Sequence, residues 1–211
     1  MTGEFNLCSI IGSYSQSKIE ELANLNSYRG QHSHSIFVFD YGVLRYRHKQ
    51  LGALDLGMHS LPNGYIVVHQ QAPTTDGKDI NSVHPAEIND HLLWHNGIIK
   101  TGEINRLREE LRDDSKWDTK LLLNHLIRYE NVNDIDGTFS CLWYNGKRLF
   151  LFRNEISPMF YDNDGNISST KFNDSKSLEP NKIWLFEPSN SRFDRSIASF
   201  ETVENPYYFV D

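Results

Sequence analysis

Two short stretches of the chain carry residues suited to nucleophilic chemistry. The first is Asn6-Leu7-Cys8-Ser9-Ile10-Ile11-Gly12. A cysteine at a chain terminus brings its own base, because an α-amino group with a pKa of about 7.7–8.0 can take the thiol proton near neutral pH, where a lysine is mostly charged. Cys8 reaches that position only if the seven residues before it are removed. A single cysteine among apolar neighbours also reads as a small buried hydrophobe. The second stretch is His95-Asn96-Gly97-Ile98-Ile99. The Asn96 side-chain amide and the Gly97 N–H would donate hydrogen bonds to an oxyanion forming beside the nucleophile. As a bare pattern, Asn-Gly is also a turn between a strand and a helix.

The elements that must position these groups follow from periodicity. The apolar run 7–11 predicts a short buried strand ended by Gly12. Ser17 and Glu20 form a capping-box pair, with Ile19, Leu22 and Leu25 at helical spacing behind it. Strands are predicted over 36–39 and, after the Pro62-Asn63-Gly64 turn, over 65–68. Ile104, Leu107 and Leu111 place one apolar face on a second helix, and a third runs over 121–127. Beyond residue 137 the pattern changes to hairpins. Strands over 138–144 and 148–152 flank Asn145-Gly146, whose residues tolerate positive φ. Strands over 159–161 and 167–170 flank Asp164-Gly165, and 183–186 gives one more. Helices between runs of sequential hairpins indicate an antiparallel α+β protein.

Composition narrows the function. The 211 residues suit one domain, taken as residues 8–211 behind a leader of residues 1–7. A formal net charge of -7 argues against general nucleic-acid or membrane-surface binding. No apolar run approaches the ~20 residues of a membrane span. With Cys8 and Cys141 as the only cysteines, a reducing, cytoplasmic location is expected. No cofactor and no metal is expected: there is no Gly-rich loop, and His32 and His34, the one close histidine pair, lack a matching cysteine or acid set.

In chain order, these and further motifs resemble the class II glutamine amidotransferases over about residues 7–187. Cys8-Ser9-Ile10-Ile11-Gly12 is similar to the family's amino-terminal Cys-Gly-Ile-hydrophobic-Gly. Arg29-Gly30-Gln31-His32-Ser33 is similar to its Arg-Gly-x-Asp-Ser. Val68-His69-Gln70-Gln71-Ala72-Pro73-Thr74 stands in the place of its Gly-His-Thr-Arg segment. His84-Pro85 keeps the family's spacing to His95-Asn96-Gly97, and Trp117-Asp118-Thr119-Lys120 resembles Ser-Asp-Thr-Glu. Phe152-Arg153-Asn154 with Met159-Phe160-Tyr161, and Leu178-Glu179-Pro180 before Ile183-Trp184, resemble the hairpin and turn that close such domains.

The resemblance implies a four-layer α/β/β/α sandwich of two antiparallel sheets, the N-terminal-nucleophile hydrolase arrangement. It implies that Cys8 attacks the side-chain amide of glutamine, that Asn96 and Gly97 hold the oxyanion, and that ammonia passes to a separate synthetase or acceptor protein. Asp118 would bind the substrate ammonium, although a helix N-cap is an equally ordinary role for it. Gln71, Thr74, His84 and Arg29 would line the substrate pocket. Three positions depart from the family pattern: His32 replaces an aspartate, Lys120 a glutamate, and Gln71 the arginine that clamps the substrate carboxylate. A neutral amide cannot make that bidentate ion pair. Arg29 or Arg45 would then have to supply the charge, or the chain would be an amidase for another amide, or an inactive descendant acting as a binding module.

Overall fold

Alternation along the strands sorts the apolar residues into two faces, and each sheet buries both. The protein is seen here as a computed structural model that describes residues 8–72, 80–190, 193 and 195–203. In chain order the elements are β1 (Ser9–Ser13), α1 (Gln16–Leu25), β2 (Ser33–Asp40), β3 (Val43–Leu51), β4 (Tyr65–Gln71), β5 (Ala86–Ile88), β6 (His91–Ile99), α2 (Thr101–Leu111), α3 (Asp118–Tyr129), β7 (Gly137–Asn145), β8 (Leu149–Arg153), β9 (Phe160–Tyr161), β10 (Ile167–Ser168), β11 (Lys176–Ser177), β12 (Lys182–Phe186) and β13 (Ser196–Ser199). One sheet has the order β11-β9-β10-β1-β4-β2-β3, the other β13-β12-β8-β7-β6-β5. Every pairing among the described strands is antiparallel.

The layers follow from which residues meet. Ile10, Phe37, Tyr65 and Val67 of the first sheet pack against Leu92, Trp94, Leu142 and Leu151 of the second. On the far side of the first sheet, Ile19 and Leu22 of α1 cover Ile11, Ile36, Val38 and Val68. On the far side of the second, Leu107 of α2 and Leu121, Leu122 and Leu126 of α3 cover Leu93, Phe139, Trp143 and Phe152. The result is the expected α/β/β/α sandwich, and its double burial accounts for the near-continuous apolar runs in β2, β7 and β8.

Several local expectations shift. Gly12 does not end β1, which runs through it to Ser13. It is there because Tyr65 lies against it: a Cβ at Gly12 would sit 2.4 Å from the Tyr65 hydroxyl oxygen. The first helix is capped by Ser15, whose Oγ accepts from the Lys18 N–H at 3.3 Å, rather than by Ser17. Strand β3 has no counterpart in the sequence reading. The Asn145-Gly146 hairpin is as expected, with Gly146 at φ +87 and the Asn145 Oδ1 accepting from the Lys147 and Arg148 N–H groups.

Candidate active site

Cys8 stands at the head of β1, an interior strand held by β4 on one side and β10 on the other. It is buried and not in a disulfide. Ser9 pairs with Gln70, so continuing that register places Cys8 beside Gln71, which also pairs with Ser33 of β2. Arg29 fixes this corner. Its Nε donates to the Cys8 carbonyl at 3.0 Å and its Nη1 to the Tyr28 hydroxyl at 3.3 Å. The buried Arg29 Nη2 has no hydrogen-bond partner.

Strand alternation then predicts which side chains share a layer. Cys8 lies two residues before Ile10, and Asn96 two residues after Trp94. Ile10 and Trp94 both face the space between the sheets, so Cys8 and Asn96 belong to that same face of their strands. Asn96 is buried, and its Oδ1 has no hydrogen-bond partner. The turn reading of His95-Asn96-Gly97 fails: all three lie within β6, paired residue for residue with Cys141, Ser140 and Phe139 of β7. Gly97 sits at φ +151, and a Cβ there would fall 1.9 Å from the Thr138 carbonyl oxygen, so close backbone approach, not a turn, demands glycine.

The remaining candidates form a connected set of polar side chains. Gln71 is fully buried. Its Oε1 accepts from the His84 backbone N–H at 3.2 Å and lies 3.0 Å from His84 Nδ1, and its Nε2 donates to the Ser82 carbonyl at 3.2 Å. Those two backbone partners fix the amide's orientation. His84 Nε2 is 3.0 Å from the Thr119 hydroxyl, and that hydroxyl is 3.2 Å from His95 Nδ1. His95 Nε2 is in turn 3.3 Å from the Thr138 carbonyl. Both ends of this chain of contacts are acceptors. The Thr119 hydroxyl also donates to Asp118 Oδ1 at 3.3 Å. His69 joins this set from β4, stacked on His84 at 4.2 Å, with its Nε2 3.4 Å from the His95 carbonyl across the two sheets.

Asp118 opens α3 as its first residue. The N-cap is Trp117. The Asp118 Oδ1 accepts from the Thr119 N–H at 2.7 Å, and its Oδ2 accepts from the Ile99 N–H at 3.4 Å, tying the helix start to the end of β6. Cys141 is the other cysteine, opposite His95 in register and fully buried. Burial, reinforced by the nearby Asp118 carboxylate, pushes its thiol well above the ordinary range.

Of the residues singled out in the sequence, Cys8 and Arg29 meet directly, and Gln71 meets His84, which connects through Thr119 to Asp118. Asn96 and Gly97 follow His95 on β6. Thr74 and residues 1–7 lie outside the described residues. Arg45 sits near the opposite end of the first sheet, where it pairs with Asp40 at 3.7 Å. The strands separate it from Cys8 by roughly six residues of rise, about 20 Å, too far to serve there. His69, His95 and Thr119 had no role in the sequence reading. Each lay inside a quoted motif, but nothing local showed that three separate segments would bring them into contact.

No family model matches the chain, and no curated protein matches it. Solved structures do. The glutamine phosphoribosylpyrophosphate amidotransferase of B. subtilis superimposes with a TM-score of 0.65 at 16% identity, over 89% of this chain and 49% of that one. A structure described as the allosteric regulatory enzyme of purine biosynthesis gives 0.64 at 17% identity, over 89% and 49%. A glutamine aminotransferase class-II domain protein from Silicibacter pomeroyi gives 0.54 at 11% identity, over 90% and 99%. The chain thus spans about half the length of the first two. With its two antiparallel sheets between helices, this chain has the fold of the class II, N-terminal-nucleophile glutamine amidotransferases.

Proposed function

We propose that the chain is a glutamine-hydrolysing amidase that works through Cys8 once residues 1–7 are removed. The freed α-amine takes the thiol proton, and the thiolate attacks the side-chain amide carbon of glutamine. Asn96 and the Gly97 N–H hold the resulting oxyanion. Collapse expels ammonia, which leaves with the proton held by the amine, and a thioester remains on Cys8. Water, deprotonated by the same amine, then releases glutamate and restores the thiol. Asp118 binds the substrate ammonium, and His84 borders the pocket. The unpartnered Nη2 of Arg29 is the cation that meets the substrate carboxylate in place of the arginine that Gln71 replaces. Ammonia passes to a separate synthetase-type partner.

The observation that carries this reading is the position of Cys8. It heads an interior strand, on the face turned toward Asn96, in a fold shared with amidotransferases. The test is glutamate release from glutamine by the purified chain, with and without residues 1–7. Release that disappears in Cys8→Ala supports it; none in either form removes it.

One observation favours a second reading. The Gln71 amide is already engaged on both sides, by His84 and by Ser82. That suits either an amidase for an amide without a free carboxylate or a descendant that keeps the fold as a binding module. Intact mass of protein from its native source separates these: loss of residues 1–7 favours an enzyme, and retention favours the module. Faster turnover of carboxyl-blocked glutamine derivatives than of glutamine would identify the first alternative.

A further inference from the structure

Three histidines from distant points of the sequence meet on the outer face of the first sheet. His34 lies on β2, His48 on the adjoining β3, and His59 on the segment 52–64 that connects β3 to β4. One ring nitrogen of each lies within 4.8 Å of those of the other two. His34 shares its strand face with Ile36 and Val38, which pack under α1, so the cluster is on the opposite face from the one assigned to Cys8 and Asn96.

The hydrogen bonds around the cluster orient its lone pairs. The Gly52 carbonyl can only accept, so His34 Nδ1–H donates to it at 2.9 Å. That leaves Nε2 as the bare nitrogen, on a ring almost fully buried, and this atom has no partner. His48 Nε2 lies 3.0 Å from Gln50 Oε1, and His59 Nδ1 lies 3.0 Å from the Tyr46 hydroxyl. Each ring is therefore anchored through one nitrogen by a carbonyl, amide or hydroxyl oxygen. This is the support that metal-binding imidazoles receive from their outer partners. Asp55, whose charge acts on His59, has its Oδ1 engaged by the Gly57 N–H at 3.0 Å. Burial and the neighbouring rings hold His34 and His59 below the usual histidine range.

We propose that His34, His48 and His59 form a binding site for a divalent transition-metal ion of the zinc class, with the fourth position open to water or a small ligand. Three imidazole ligands and no bound carboxylate select borderline ions such as Zn²⁺, Ni²⁺ or Cu²⁺ over Mg²⁺ or Ca²⁺. Tetrahedral Zn²⁺ with Zn–N of about 2.1 Å holds its nitrogens roughly 3.4 Å apart, so the rings draw in by about an ångström around the ion. His48 and His59 are only half-buried, which gives them room for that movement. The bound ion clips segment 52–64 onto the sheet.

The experiment uses the full-length, tag-free chain, stripped with chelator and titrated with Zn²⁺ by calorimetry. Co²⁺ followed by visible absorption reports the geometry. Expected are saturation at one ion per chain, tetrahedral Co²⁺ bands, and affinity weakened at least about tenfold in His48→Gln/His59→Gln. His91→Gln, a histidine of the other sheet, should bind as the parent does. Absence of saturable binding, or equal affinity in the double variant, overturns the site. Circular dichroism checks that the double variant folds. If it does not, His59→Gln alone, on the connecting segment, replaces it with the same two outcomes.

Discussion

Cys8 and Cys141 are both buried thiols, and their surroundings give them different chemistry. Cys8 heads a strand beside an arginine that holds its carbonyl. Cys141 lies in the core between β7 and the helices, where burial and a carboxylate oppose its ionisation. In the native chain at pH 8, alkylating reagents should leave Cys141 unmodified and reach it only after denaturant is added, as peptide mass mapping would reveal. A pH effect on stability follows with a definite sign. An unfolded cysteine ionises near pH 8.5, while the folded core keeps Cys141 protonated. Its contribution is intact below that pH and is lost as pH rises above it, because the unfolded chain releases a proton that the folded chain retains. Urea midpoints measured at pH 7.5 and 9.5 should therefore fall less in Cys141→Ala than in the parent.

At the scale of elements, the cap of α1 is open to a paired test. Ser15→Ala should cost about 1 kcal/mol of stability in urea unfolding, and Ser17→Ala only a few tenths. Equal costs would contradict the observed cap. The sequence misplaced that cap because Ser15 and Ser17 are both good capping residues, and the capping-box spacing to Glu20 singles out the second. The three helices and the Asn145-Gly146 hairpin were legible because their signals lie within a dozen residues. Strand β3 was not, since Arg45, Arg47 and Lys49 break any apolar run. Strand β6 was not legible: Asn96-Gly97 within it has the composition of a turn, and only the approach of the Thr138 carbonyl explains the glycine. Pairings such as β1 with β10 join residues more than 150 positions apart and leave no local trace. The His34–His48–His59 cluster was invisible for the same reason: its members come together only when β3 pairs with β2.

The whole molecule depends on the layer between its sheets. Trp94 is fully buried there and meets Phe37 edge-on at 5.2 Å and Phe39 at 6.2 Å. Trp94→Ala should cost about 3–5 kcal/mol, read as a lower urea midpoint. The same layer would hold Cys8 and Asn96, so its loosening should lower any Cys8-dependent activity as well. The sandwich is tied along one side where Glu87 of β5 meets Lys49 at 2.7 Å and Arg47 at 3.3 Å, both from β3. Among the described residues, β3 is also the longest strand at a sheet margin, and Arg45 and Arg47 project from it half-exposed or more. The other margins, β11, β5 and β13, are only two, three and four residues long. A second copy seeking to add its backbone to either sheet would meet like positive charge on the long margin and too little ladder on the short ones, so this architecture resists growth into fibrils by strand addition.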